Sequence, residues 1–275
     1  MIHPLRFFKP VESLSTEMAR EFVRRHGEGT FVLLDVRQPA EYEKGHIPGA
    51  RLFPLTGLLD SFRELDLEKP TLVYCSTGRR SRVAAQVLSG RGFREVYHLE
   101  GGINAWHGRM AEGPADLGLH LIHGDESPLQ IIRLSYGMEE GLASFYRAVA
   151  DGTTNSRVKE LAWRLAAVEE RHKSHLLEIV EAEGLDGEAV ASQLASGIVE
   201  GGFDVQDFLA GNKVFKPGVA DVLDLSLILE TQALDLYLRL TQHLENERAK
   251  EVLFQIANEE KGHLAALGAL RDEHV

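Results

Sequence analysis

Cysteine is nearly absent: the 275 residues contain one, Cys75. A single thiol cannot close an internal disulfide, which excludes a disulfide-stapled scaffold and points to a reducing compartment. No run approaches the roughly 18 apolar residues needed to span a bilayer as a helix. The opening MIHPLRFFKPVESLSTEM has no apolar core of signal-peptide length. A cytoplasmic location away from membranes is therefore expected. A basic excess is also missing, since 42 Asp and Glu oppose 30 Lys and Arg for a formal charge of −12. Nucleic-acid binding, which requires cations that displace counterions from phosphate, is not expected. Tryptophan is confined to Trp106 and Trp163, both read as packing residues.

What is present is an ordinary globular composition, 44% apolar and 26% charged, in a chain long enough for two domains. The two halves differ in period. FVLLDV (31–36), TLVYCS (71–76) and VYHLEG (96–101) are short, apolar and β-rich, as buried parallel strands are. STEMAREFVRRHG (15–27) and SRVAAQVLSGRG (81–92) carry helical spacing and end in Gly. Strands alternating with helices predict an α/β domain with a parallel sheet over residues 1–112. After a linker at 113–127, whose Leu and Ile are expected to pack on something, residues 128–275 read as all-α. Helices are predicted over 128–151, 154–184, 218–242 and 244–271, with a Thr or Asn cap in DGTTNS before the second. The long Gly-punctuated stretch between the second and third suits the crossover of a four-helix bundle, with a short helix of its own.

The helical half repeats itself. Glu139 and Tyr146 in MEEGLASFYRAVA match Glu230 and Tyr237 in LETQALDLYLRLT, and Glu169-x-x-His172 matches Glu260-x-x-His263, every pair 91 residues apart. The repeat marks a duplicated helix pair. Residues i and i+3 share a helix face, so each Glu-x-x-His presents a carboxylate and an imidazole together. With Glu139 and Glu230 added, four carboxylates and two histidines converge from four helices. That donor set suits a pair of hard divalent cations, Fe or Mn, with Zn possible where it is more available. Each of these Glu lies in an apolar stripe, where an unpartnered charge is expensive to bury. His175, opposite Ala266 in the repeat, is open between a place beside the site and the surface.

Residues 128–275 resemble the ferritin-like superfamily, in particular the rubrerythrin-type di-iron proteins. The resemblance implies metal ligands at Glu139, Glu169, His172, Glu230, Glu260 and His263, and places Tyr146 and Tyr237 as hydrogen-bond partners of the ligand carboxylates. It implies Fe(II) oxidation or O2 or peroxide chemistry at the metal pair, and a homodimer. Ala233 stands where rubrerythrins have an additional Glu, which makes the set closer to that of bacterioferritin. The four-cysteine iron centre of rubrerythrins cannot be built from one Cys, so an external electron donor is expected.

In the first half, LLDVRQPAEYEKGHIPGA (33–50), the loop CSTGRRS and HLEGGINAW (98–106) resemble the signature segments of a rhodanese domain, in the right order. The loop also argues for itself. A cysteine between a strand and a helix sits over free helix N–H groups, which favour the nucleophilic thiolate. Gly78 lets amides turn inward, Ser76, Thr77 and Ser81 complete the cradle, and Arg79 and Arg80 are candidate ligands for an anionic donor. The resemblance implies a sulfurtransferase that carries a persulfide on Cys75, takes sulfur from donors such as thiosulfate and passes it to an external thiol or protein acceptor. From Cys75 to Arg80 the loop has six residues, the length associated in this fold with sulfur rather than phosphate. Asp35 is expected near the loop, Arg37 paired with Glu41 or Glu43, and His46 in a turn. The leading expectation for the whole chain is a sulfurtransferase joined to a di-iron redox bundle. Iron and sulfur delivery for cofactor assembly, and a regulatory rhodanese module, are the alternatives.

Overall fold

The structure, a computed structural model, describes residues 11–182, 198–199, 203–204 and 218–273. It divides into two compact units, Met1–Leu117 and Gly118–Val275, with the division falling inside the 113–127 stretch.

In the first unit the elements are β1 (Glu12–Leu14), α1 (Thr16–Arg25), β2 (Val32–Asp35), α2 (Pro39–Tyr42), β3 (Arg51–Leu52), α3 (Leu58–Ser61), β4 (Thr71–Tyr74), α4 (Arg79–Gly90) and β5 (Val96–Leu99). The five strands form one parallel sheet in the order β1-β5-β4-β2-β3. Side chains alternate between its two faces. Val32, Leu34, Val73 and Cys75 pack with Ala84, Ala85 and Leu88 of α4. Leu33, Leu72, Tyr74 and Leu99 pack on the other side with Ala19 of α1, Tyr42 and Ile103. The chain moves outward from β2 to β3 and then returns across β2 to β4. In open α/β sheets such a reversal leaves a crevice at the strands' carboxyl ends. The loops after β2 and β4 meet there, which brings residues 36–41 beside residues 75–78.

The second unit contains α5 (Pro128–Gly152), α6 (Ser156–Ala182), a small antiparallel pair β6 (Ile198–Val199) and β7 (Phe203–Asp204), α7 (Val219–Thr241) and α8 (Glu247–Asp272). The helices begin at the repeat distance, Pro128 with Val219 and Ser156 with Glu247, each pair 91 apart. The caps repeat as well. Asn155 Oδ1 accepts from the amides of Arg157 (3.1 Å) and Val158 (3.4 Å), and Asn246 Oδ1 from those of Arg248 (3.0 Å) and Ala249 (3.2 Å). Each cap satisfies helix amides that have no partner within the helix. Two apolar clusters fill the bundle, one around Ile131, Leu236, Leu253 and Ile256, the other around Leu142, Phe145, Leu165 and Leu223. Ile122 is buried in the first cluster with Leu119 and Leu121 packed against it, so the bundle-side end of the 113–127 stretch belongs to this core. The short helix expected within the crossover lies outside the described residues.

Candidate functional site

The thiol loop is shaped from behind by two glycines. Gly78 caps α4 with φ +85°, a left-handed conformation that L side chains avoid. Gly102 has φ +62°, and a Cβ there would run into the carbonyl of Cys75, with Ser76 C at 2.6 Å. Its neighbours hold the loop directly: Ile103 N donates to Cys75 O (2.8 Å) and Asn104 N to Ser76 O (3.1 Å). The HLEGGINAW segment therefore acts as a template for the loop, and its backbone must approach too closely for any side chain at position 102.

Cys75 is buried and free. Gly78 N donates to its sulfur at 3.2 Å. Burial pushes the thiol up, but the amide and hydroxyl of Ser81 and the amides of Thr77 and Gly78 outweigh it, and the thiol ends below its ordinary value. Ser81 Oγ also donates to Gly78 O (3.2 Å), which ties the first turn of α4 to the loop. A thiolate is therefore expected to appear at lower pH than in an ordinary cysteine, and Ser81→Ala is expected to move that midpoint upward. The absorbance of the thiolate at 240 nm measures both, since the chain has no second cysteine to contribute. An unchanged midpoint in the Ser81→Ala protein would remove the Ser81 hydroxyl, though not its amide, from the cradle.

The two arginines of the loop part company. Arg80 makes a bidentate pair with Glu41, Nη1 to Oε2 at 2.7 Å and Nη2 to Oε1 at 2.6 Å, and Nη2 also reaches Ser76 Oγ at 2.9 Å. Ser76 Oγ in turn donates to Glu41 Oε1 (2.6 Å). Arg80 foremost, then Ser76 and the Gln38 amide, hold the Glu41 carboxyl far below the usual carboxylate range against a smaller cost of burial. Arg79 is exposed and meets no carboxylate among the described residues. The expected pairing of Arg37 with Glu41 or Glu43 is corrected. Arg37 instead clasps Asp35 through Nε (2.9 Å) and Nη2 (2.6 Å) and donates to Gly45 O (2.7 Å), all buried. Asp35 ends β2 in register with Tyr74, so its carboxylate reaches Arg37 across the turn, while Glu41 is left for the loop. His46 is buried, stacked on Tyr42 at 3.7 Å, with its Nδ1 3.0 Å from Tyr42 O. The Glu41 clamp was not read from sequence, although Gln38 and Glu41 have the spacing of a capping box, and that box forms.

In the bundle the repeat brings its polar residues together. Glu139, Glu169, Glu230 and Glu260 are each 1–2% exposed. His172 Nδ1 lies 3.2 Å from Glu139 Oε2 and 2.9 Å from Glu169 Oε2, and His263 Nδ1 lies 3.3 Å from Glu260 Oε2. The two imidazoles stack at 3.6 Å. Donor atoms of Glu139, Glu169 and His172 fall within 4.8 Å of one another, as do those of His172, Glu260 and His263. Glu230 joins through its neighbours: burial, then the charges of Glu260 and Glu169, push its carboxyl well above the ordinary range. Its Oε2 is buried with no hydrogen-bond partner. A buried oxygen without a partner, amid carboxylates and imidazoles, fits a divalent cation. These six residues could hold one or a pair. Tyr146 and Tyr237 are fully buried on α5 and α7. His175 is half exposed, with Nε2 2.9 Å from Glu259 and Nδ1 3.1 Å from Glu178.

Beside Glu139 and Glu169 lies a polar network that sequence reasoning missed. The buried Lys173 ammonium contacts Glu140 and Glu170, the latter at 2.9 Å, and Arg147 contacts the same two carboxylates. The second repeat has Thr231, Leu238, Lys261 and Leu264 in its place, so the 91-residue comparison that finds the six donors passes over it.

No helix among the described residues is long and apolar enough to cross a membrane. A family model for the rhodanese-like domain matches residues 18–109. An uncharacterised protein of Bacillus subtilis (strain 168), YqhL, is 45% identical over 28% of this chain; the match spans 62% of that protein, less than two thirds of its length. The thiosulfate sulfurtransferase GlpE of Pseudomonas putida (strain F1) is 40% identical over 33% of this chain and 79% of its own length. A crystal structure of a rhodanese-related protein from Thermoplasma volcanium is 27% identical, covers 36% of this chain and 97% of that one, and has a TM-score of 0.33. All these matches concern the first unit, whose parallel sheet carries the thiol loop. Through that unit, the chain belongs to the rhodanese-like domain family.

Proposed function

We propose that this protein is a sulfurtransferase that carries sulfur as a persulfide on Cys75, joined to a bundle that holds a dinuclear metal centre. The sulfur reading is carried by one observation: the sole thiol sits in a ring of donors that lower its proton affinity. The Cys75 thiolate attacks the outer sulfur of thiosulfate. A new S–S bond forms to Cys75, the S–S bond of thiosulfate breaks, and sulfite departs with the electron pair. An acceptor thiolate then attacks the outer persulfide sulfur and returns Cys75 as thiolate. With no other cysteine in the chain, the acceptor is a small thiol or another protein.

On this reading the two arginines have different tasks. Arg80, paired with Glu41, bonded to Ser76 and within reach of the Cys75 sulfur, holds the loop around the thiolate. Arg79, exposed and without a carboxylate partner among the described residues, meets the anionic donor. Arg79→Ala is therefore expected to raise the KM for thiosulfate about tenfold, the scale of one charge-assisted hydrogen bond, with little change in kcat. Arg80→Ala is expected to lower kcat more than it raises KM. Steady-state thiocyanate formation from thiosulfate and cyanide separates the two, and the reverse pattern would exchange the roles.

In the bundle, Glu139, Glu169 and His172 form one half of the proposed centre and Glu230, Glu260 and His263 the other. Fe is the favoured metal, with Mn or Zn as alternatives. When bound, such a pair supplies redox chemistry toward O2, peroxide or Fe(II), with electrons from an external donor. What supports this reading is the buried, partnerless Oε2 of Glu230 within a duplicated donor set. Elemental analysis of protein prepared with Fe or Mn in excess tests it; metal content unaffected by loss of the six side chains would refute it.

A further inference from the structure

A cavity of about 1020 Å3 lies between α6 and α8, with Glu230 of α7 on its floor. That volume is far beyond what peroxide or O2 requires, since a water takes about 30 Å3. It stands at the upper end of the roughly 300–1,000 Å3 typical of sites for organic ligands. Leu161 and Leu165 on α6 and Leu267 and Leu270 on α8 make its walls apolar, while Ala266 and Ala269 leave the space open. At one end the lining changes to Arg171, His172 and His263. From Leu161 to His172 the α6 wall runs on the order of 16 Å, at 1.5 Å rise per residue. The site is long, with its imidazoles gathered at one end and its leucines at the other.

The charges at its edge are unequal. Neither Arg164 nor Arg171 meets a carboxylate among the described residues; Arg171 donates only to Ala167 O in its own helix, at 3.1 Å. Of the four acids on the lining, Glu169 and Glu230 are buried near the imidazoles, Glu259 is engaged by His175 at 2.9 Å, and Glu273 lies at the opposite end. We infer that this cavity binds a single-chain aliphatic carboxylate, its head at the Arg171, His172 and His263 end and its tail between Leu161, Leu165, Leu267 and Leu270. The inference rests on the dinuclear reading, because the buried carboxylates of the floor would alone repel an anionic head, and bound cations reverse that sign. The stem of Arg164 covers the tail while its guanidinium stays in water.

The test uses the full chain loaded with Mn(II), its content checked by elemental analysis, with 1-anilinonaphthalene-8-sulfonate as the fluorescent probe. Dodecanoate is expected to displace the probe, and removal of the metal to weaken dodecanoate about tenfold or more while leaving dodecanol nearly unchanged. Ala266→Trp and Ala269→Trp, which fill the cavity from its accessible wall, are each expected to weaken both ligands about tenfold with Mn content intact. Failure of dodecanoate to displace the probe, or undiminished affinity in both variants, would overturn the inference. So would sedimentation showing a dimer that Ala266→Trp dissociates while dodecanoate does not bind, which would make this groove an interface between copies. If the chain takes up no Mn yet dodecanol displaces the probe, the dinuclear reading fails and the carboxylate assignment falls with it, leaving an apolar pocket.

Discussion

Cys75→Ser is expected to reduce thiosulfate-dependent sulfur transfer by at least about three orders of magnitude, the scale of losing a covalent nucleophile. A serine hydroxyl can occupy the same cradle and accept from the Gly78 amide, so the loop should keep its shape. It cannot ionise near neutral pH or hold a sulfane sulfur, so the chemistry should stop. No rescue is available inside the molecule, because no other cysteine exists. Thiocyanate production measures the loss, and mass spectrometry of the wild-type chain after thiosulfate treatment should show one added sulfur atom on the peptide containing Cys75. Metal content should not change, since no proposed ligand is touched. Activity retained by the serine protein would take the loop out of the reaction.

Glu230→Leu is expected to move stability in opposite directions depending on metal. Without metal, the Glu230 carboxyl is fully buried and crowded by Glu260 and Glu169, an arrangement that costs stability. Replacing a poorly compensated buried ionisable group with an apolar one of similar size stabilises by about 2 kcal/mol, which corresponds to roughly 4–8 °C in a unit of this size. With metal, the same change removes a proposed ligand. Wild type should gain about 4 kcal/mol at a metal concentration 1,000 times Kd, and the leucine protein should lose most of that gain along with a large part of its metal content. Scanning calorimetry of the bundle transition with and without Mn(II) provides both readings. A variant destabilised equally in the two conditions would show Glu230 to be a structural carboxylate.

Much of this was legible in the sequence because it depends on local rules. The strands β2, β4 and β5 are buried on both faces and read as apolar runs, and α4 starts at Arg79, two residues before the 81–92 segment that carries its helical spacing. The helix pairs of the bundle follow from their period and caps, with Asn155 settling which residue of DGTTNS caps α6. The strands β1 and β3 could not be seen, because at three and two residues they carry too little alternation, and they exist through their pairing at the sheet edges. The partners of charged residues were the least legible. Arg37 chose Asp35 two residues away, and Arg80 chose Glu41 thirty-nine residues away, because the crossing from β3 back to β4 sets one loop beside another. Spacing along the chain carries no record of that crossing. The six proposed donors were found because the two helix pairs repeat one spacing; the Lys173 network, present in one pair only, had no such signal.

The matched starts of the two helix pairs bear on assembly. Glu139, Glu169 and His172 belong to the first pair, Glu230, Glu260 and His263 to the second, so each pair supplies only half of the six proposed donors. On the proposed dinuclear reading each hairpin would be half a coordination sphere, and the full sphere would come into being only when the halves dock. Metal uptake by this chain would then report the docking itself, and a hairpin exchanged between two molecules would rebuild the same six donors at a subunit boundary.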